Sequence, residues 1–267
     1  MDPFKVFTDH WRQMQKQLEL HERQLSYLMR QSIQDPDEWL IQAYQQHRGK
    51  RCFLVGTGPS LNKLDLSKLQ NEVVMACNGA ILIEELNINY FISVSHYFYK
   101  SHFERINSYS CERFFLPYYL HDLVPQTPTS WLQTLEFDQY QNLNLTNPYR
   151  FSTDIAQTVF LGGTVIYPAL QILHYLGFDE VILIGVDHNY GPMDESKTQI
   201  ISSSDLKAHF TRDYYTQPTQ VYIDFPAMNR AYQLAKEAYD RSERRILNAT
   251  PGSKLNTYPR VQFDSLF

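Results

Sequence analysis

The run Arg51-Cys52-Phe53-Leu54-Val55 ends in Gly56-Thr57-Gly58-Pro59-Ser60, and no other stretch limits the fold of this chain as tightly. The apolar residues from Cys52 to Val55 make a buried strand, and the glycines and proline behind them turn the chain sharply. Gly56 and Gly58 permit positive φ and close backbone approach, while Pro59 fixes φ and removes a donor. A parallel strand that ends in such a turn leaves free N–H groups at the sheet edge, where an anion such as a phosphate can sit. A tight turn with no ligand accounts for the same pattern equally well. Two nucleotide motifs are excluded. The dinucleotide fingerprint needs a small residue where Leu61 stands and an acid where Asn78 stands, and no Gly-Lys-Ser/Thr triplet of a P-loop follows.

From residue 51 onward apolar runs and helical spacing alternate. Strands are expected at 52–55, 73–78, 90–95, 113–117, 181–187 and 245–248. A short helical or looped segment is expected at 61–69, and helices at 80–86, 97–106, 165–176 and 225–242, with Gly177 as the C′ residue of the helix over 165–176. Apolar strands of this kind imply a parallel sheet covered on both faces. Residues 1–48 form an N-terminal helical extension, broken near Asp35-Pro36; they either pack on the core or serve as an arm for a homo-oligomer or partner. Residues 49–267 form the main domain. Two polar stretches, 118–157 and 189–222, read as weakly structured, lid-like insertions.

Composition narrows the function. The net charge is −5 and the pI about 6.0, which argues against a nucleic-acid binder relying on a basic surface. Cys52, Cys77 and Cys111 form no CxxC pair and read as reduced residues of a cytoplasmic protein. No apolar run is long enough to cross a bilayer, so any membrane contact would be peripheral. The 19 tyrosines and 16 phenylalanines fill the core, but several stand in polar segments, where a ring can stack on a base or sugar.

In an open parallel sheet, ligands sit beyond the carboxyl ends of the strands. The segments there carry Gly56, Thr57, Gly58 and Ser60, Asn78, Ser93 and Ser95, Gly162, Gly163 and Thr164, Asp187, His188 and Asn189, and Asn248 with Thr250. A ligand that carries phosphate, such as a nucleotide, fits that repetition. Gly162-Gly163-Thr164 opens a helix, with N–H donors and the positive dipole end; an ordinary cap at Thr164 is the plainer reading. Asp187 ends its strand, where a carboxylate holds a metal, bonds a sugar hydroxyl or caps a turn. With only Asp194 and Glu195 near in sequence and no DxD triplet, a metal-independent role is expected and no metal site is assigned. His209, followed by Arg212, Tyr214 and Tyr215, is the candidate base; the plainer reading is a loop histidine bonded to a carbonyl. His188 and His96 stand behind it.

Phe53-Leu-Val-Gly-Thr-Gly-Pro-Ser-Leu61, Ala76-Cys-Asn-Gly79, Gly162-Gly-Thr164 and Ile184-Gly-Val-Asp187 resemble the successive motifs of a known superfamily. One branch holds bacterial sialyltransferases and motility-associated glycosyltransferases; the other holds 6-hydroxymethylpterin diphosphokinase-like proteins. His209-Phe-Thr-Arg-Asp-Tyr-Tyr215 and Asn248-Ala-Thr-Pro-Gly252 are similar to the later motifs, so the resemblance runs from residue 51 to about 264. It implies an α/β fold: a Rossmann-like, mostly parallel sheet with helices on both faces. It implies that Gly58, Ser60 and Asn78 line a nucleotide-sugar site, with Gly162, Gly163 and Thr164 on its other side. Asp187 would stand near the donor, His209 would deprotonate the acceptor hydroxyl, and Tyr214 and Tyr215 would stabilise the departing phosphate. The chain departs from the sialyltransferases at Thr57, where they carry asparagine, and at Val159 and Phe160, where they carry arginine. Those departures bear on the sugar rather than on the nucleotide.

The function these features imply is an inverting, metal-independent glycosyltransferase that moves a sugar from a nucleotide-sugar donor to a glycan or protein hydroxyl, in making a surface polysaccharide. It needs no cofactor. An ATP-dependent diphosphokinase, which would use Mg²⁺ held by Asp187 and Asp194, is the alternative; a nucleotide-binding module without turnover is the third reading.

Overall fold

The computed structural model describes residues 37–135, 150–204, 209–211 and 214–267. Most of the expected N-terminal extension, and Arg212 of the candidate site, lie outside them.

Seven strands form one parallel sheet: β1 (Arg51–Val55), β2 (Val74–Cys77), β3 (Tyr90–Ile92), β4 (Arg113–Pro117), β5 (Thr129–Leu132), β8 (Glu180–Ile184) and β11 (Arg245–Asn248). Their spatial order is β11-β8-β1-β2-β3-β4-β5. The chain therefore builds outward from β1 through β5, returns to lay β8 on the free side of β1, and finishes with β11. The order reverses between β1 and β8, and the two loops leaving that point diverge. A crevice results there.

Successive side chains on each strand serve opposite cores. Cys52, Leu54, Met75, Cys77, Tyr90 and Ile92 face helices α4 (Ile166–Leu176) and α5 (Phe225–Arg241), while Phe53, Val55, Val74, Ala76 and Phe91 face the other side with α2 (His96–Ser101) and α3 (Phe103–Asn107). The inner strands are apolar past their first residue because both faces are covered. This is the doubly covered α/β fold expected from the sequence.

Four expectations are corrected. The helix expected over 97–106 is two short helices, broken at His102, which is the C-cap of α2 and the N-cap of α3. The strand expected over 181–187 ends at Ile184, because Gly185 turns away with φ +66°. The stretch 118–157 supplies β5, the outer strand of the main sheet, and β6 (Thr134–Leu135), which pairs in parallel with β7 (Val159–Phe160). An outer strand is not wrapped by apolar neighbours, so β5 alternates half-buried and buried residues and carries Thr129 and Ser130, which reads as loop. The stretch 189–222 likewise holds β9 (Thr198–Ser202), paired antiparallel with β10 (Gln220–Asp224). These strands hardly enter the core, and their polar sequence hides them.

Residues 37–48 pack on the sheet rather than extending away from it. Helix α1 (Glu38–Ala43) is capped by Asp37, whose carboxylate accepts from Trp39 N at 3.1 Å and pairs with Arg113 at 2.8 Å. Leu40 is wholly buried. The segment behind α1 docks on the end of α4, where Tyr175 O accepts from Gln45 N. Gly177, with φ +95°, leaves room for that approach, since a β-carbon there would come within 2.7 Å of Gln45 Cα.

Two histidines, one buried and one half-buried, make this fold acid-sensitive. His174, in α4, bonds Ser242 through Nε2 at 2.9 Å, while its Nδ1 is buried without a partner. Burial, and then the nearby Arg244 and Arg241, push its pKa down to about 4. Burial and Lys50 do the same to His47, which stacks on Phe178. The folded state thus disfavours the charged imidazole, so its contribution is complete above about 6.5 and is lost as pH falls toward 4. Thermal unfolding followed from pH 7.5 to 4.5 should show a falling Tm. His174→Gln should melt lower at pH 7.5 but depend less on pH; an unchanged slope would refute the assignment.

Candidate functional site

The loop after β1 and the loop after β8 are joined across the crevice. Ser60 Oγ donates to Asp187 Oδ2 at 2.6 Å, and Ser60 N donates to Asp187 Oδ1 at 3.2 Å. Gly58 N donates to Gly185 O at 2.8 Å. The glycines make this approach possible: a β-carbon on Gly58 would overlap the Asp187 carboxylate, and one on Gly56 would overlap Gly185 O. The loop after β11 closes the other side, as Thr250 Oγ1 accepts from Val186 N and Ser253 Oγ donates to Val186 O at 2.7 Å. Asn248, buried beneath, accepts from Thr250 N and donates to Ser253 Oγ. Asn248 and Thr250 therefore hold the loop's shape.

Beside this clasp lies a cavity of about 180 Å³. Of the residues singled out in the sequence, Gly56, Thr57, Gly58, Asn78, Gly163, Thr164, Asp187, His188, Asn189, His209, Tyr214 and Tyr215 line it. Ser60 and Gly162 do not; Ser60 is spent on Asp187, and Gly162 shapes the turn with φ +58°. The cap position of α4 is Val165, not Thr164; Thr164 Oγ1, one residue earlier, accepts from Ile166 N at 3.3 Å. The amino end of α4 still borders the cavity through Thr164, Val165 and Ile166, with no acidic residue in its first turn. Ser95 caps α2 instead of joining the site.

His209 is bonded rather than loose. Its Nδ1 lies 2.9 Å from Thr57 Oγ1, and Phe210 N donates to Thr57 O at 2.7 Å, so this segment is tied to the glycine turn. The imidazole stacks on Tyr214 with ring centroids 3.5 Å apart and planes 6° apart, and its Nε2 stands 3.4 Å from Tyr215 OH. Burial pushes its pKa down to about 4, which leaves the ring neutral, with a lone pair, at pH 7. Tyr214 is wedged between His209 and Phe98, and Gly79 is required beneath it, since a β-carbon there would lie 2.6 Å from the ring. Asn78 adopts φ +43° and accepts from Val94 N at 3.3 Å. Asp187 is the one carboxylate among the lining residues, and burial raises its pKa against the bonds from Ser60. Asp194, by contrast, is held in its own exposed turn by Ser196 and Lys197, with a pKa of about 2. Among the described residues, no three His, Cys, Asp or Glu side chains group as a metal site would require.

Sequence reasoning missed part of the wall. Tyr190, Tyr222, Val221, Ile223, Met228 and Tyr232 also line the cavity. Tyr190 directly follows Asp187-His188-Asn189, a signal that was available; Met228 and Tyr232 come from α5, whose amphipathic pattern gives no hint of a ligand. Burial pushes the Tyr190 and Tyr215 hydroxyls up to about 12 and those of Tyr214 and Tyr232 higher still, so all four remain donors at neutral pH. The clasp makes a stability prediction. Gly58→Ala must break the Ser60–Asp187 contact to admit its methyl group, and should destabilise the fold by about 1–3 kcal/mol in urea unfolding. Wild-type stability would show that the loops do not depend on this approach.

No curated protein sequence matches the chain. Among solved structures, the sialyltransferase CstII from Campylobacter jejuni in complex with the substrate analogue cytidine-5′-monophosphate is similar at 18 % identity and a TM-score of 0.42, covering 80 % of this chain and 85 % of that one. A variant of α-2,3/8-sialyltransferase CstII is similar at 16 % identity and a TM-score of 0.40, covering 79 % of this chain and 86 % of that one. No helix among the described residues is long and apolar enough to cross a membrane. A family model described as 6-hydroxymethylpterin diphosphokinase MptE-like matches residues 29–192, more than half of the chain, which therefore belongs to the MptE-like family.

Proposed function

We propose that this protein is a transferase that takes a nucleotide-activated donor at the crevice between β1 and β8, and that the group it transfers is a sugar. The observation that carries this reading is the pairing, in one cavity, of an anion-binding wall with a neutral imidazole. On one side stand the glycine turn, whose Gly56, Gly58 and Ser60 N–H groups are bonded within the protein, and the amino end of α4, whose dipole favours a phosphate. On the other stands His209, uncharged, with tyrosine hydroxyls beside it. Attack by a hydroxyl at an anomeric carbon needs a base on one face and stabilisation of the leaving phosphate on the other. His209 would supply the base and the amino end of α4 would face the departing phosphate; Tyr214 and Tyr215, one stacked on the imidazole and the other 3.4 Å from its Nε2, stand with the base rather than across from it. Asp187, with both carboxylate oxygens engaged by Ser60, positions the glycine turn. At about 180 Å³ the cavity is smaller than the ~300–1,000 Å³ of sites that enclose a whole ligand. The enclosed part is then the phosphate and sugar, with the base toward the open side. A glycan or protein supplies the acceptor hydroxyl.

The family description favours a second reading, diphosphate transfer from ATP to a pterin. Metal ions would neutralise the phosphates in that reaction, and Asp187 is the residue at hand to hold one. The two readings separate in one screen. Thermal shifts with CMP, CDP, UDP, GDP and ATP, with and without Mg²⁺, should show stabilisation by a nucleotide that is independent of the metal; stabilisation by ATP that EDTA abolishes would support the diphosphokinase.

His209→Ala should lower transfer by about a hundred- to ten-thousand-fold while nucleotide binding survives. Full activity in that variant would sink the assignment. The kcat/KM of the wild type should hold through pH 6.5 and fall only toward the lowered pKa of about 4, because it is the neutral ring that accepts the proton. An acid limb centred on 6.5 would show an ordinary, solvated histidine.

A further inference from the structure

His188 stands at the same crevice in an unusual state. It follows Asp187 in the loop after β8 and is 7 % exposed, with φ +49°, a conformation that costs a side chain with a β-carbon. Its ring is surrounded edge-on by Tyr190, Phe225 and Tyr232 at centroid distances of 6.0, 5.8 and 5.5 Å. Its Nε2 lies 3.0 Å from Asn229 Oδ1 on α5. Its Nδ1 is buried and has no partner.

These facts fix the chemistry of the free nitrogen. A carbonyl oxygen only accepts, so Nε2 carries the proton that meets Asn229 Oδ1. Nδ1 is then an unprotonated acceptor. Solvent does not reach it, so no water replaces the missing donor, and an unpaired buried acceptor beside a cavity calls for an explanation. A phosphate cannot provide one, because an ionised phosphate oxygen brings no proton. A hydroxyl can.

We infer that His188 is a specificity-determining residue whose Nδ1 accepts a hydrogen bond from a hydroxyl of the bound ligand's sugar, with Asn229 as the positioning residue that sets its tautomer. The inference rests on the reading of this cavity as a nucleotide-donor site. Each part of the wall then meets a different part of the ligand. The glycine turn and the amino end of α4 take the phosphate, His209 faces the reacting hydroxyl, and His188 reads a sugar hydroxyl. That hydroxyl belongs either to the ribose or to the transferred sugar.

Binding of CDP, UDP, GDP and ADP, their 2′-deoxy and 3′-deoxy forms, and UDP-glucose, measured by calorimetry on the full chain, tests this. His188→Phe keeps a ring and removes the acceptor; His188→Asn tolerates the positive φ and restores an acceptor oxygen. A probe that carries the hydroxyl that is read should bind His188→Phe about ten- to a hundred-fold more weakly than the wild type, and His188→Asn should recover part of the loss. If the ribose is read, the matching deoxy form should be weakened in the wild type and lose nothing further in His188→Phe. If the transferred sugar is read, the variant should bind the diphosphate normally and UDP-glucose poorly. Equal binding by wild type and His188→Phe of every probe that binds would overturn the inference while leaving the nucleotide site intact. No binding of any probe to the wild type would overturn the nucleotide reading and this inference with it. The ¹⁵N shifts of His188 give a ligand-free check: a proton on Nδ1 instead of Nε2 would refute the acceptor role.

Discussion

The clasp between Ser60 and Asp187 is the contact on which the site depends. Two loops leave neighbouring parallel strands in opposite directions, and the fold alone would let them splay. Two hydrogen bonds from Ser60 to one carboxylate hold them together, and Gly56 and Gly58 let the backbones come close enough for the bonds to form. The cost of burying a carboxylate is met by those bonds, which is why its pKa is raised by burial yet opposed by Ser60. Two lining residues sit directly beside this joint: Thr57, which bonds both the His209 ring and the backbone beside it, and His188, the residue after Asp187.

The cavity is uniform in its protonation. Its one carboxylate is occupied, its imidazoles are pushed toward the neutral form, and Tyr190, Tyr214, Tyr215 and Tyr232 hold their protons. A single cause, exclusion of water, drives all of these shifts. An uncharged wall rich in hydroxyl donors, next to the amino end of a helix, suits a ligand that brings its own negative charge.

Much of the fold was legible in the sequence because its inner strands are mostly apolar runs and its long helices amphipathic. The first four strands, β8 and β11 fall close to their expected places wherever a run is buried on both faces. Gly177 as the residue ending α4 was equally plain, since only glycine takes φ +95° without strain. What stayed hidden was partly buried: β5 at the sheet edge and the paired β9 and β10 carry short, broken apolar runs flanked by Thr, Ser, Gln and Asp, and so look like loops. The break at His102 was hidden for another reason, as a single backbone angle carries no compositional mark.

The sequence by itself determined the strand–helix rhythm, the glycine turn after the first strand, and the residue types gathered at one edge of the sheet. These follow from local sterics and from the burial that each run must find. Only the tertiary structure decided that β8 lies beside β1, which turned two separate loops into facing walls. It also decided that Ser60 and Asp187 bond each other rather than a ligand, that His209 is tied to Thr57, and that α5 completes the wall with Met228 and Tyr232. Those contacts join residues far apart in the chain or sit on an element whose own pattern speaks only of packing, so no local rule could specify them.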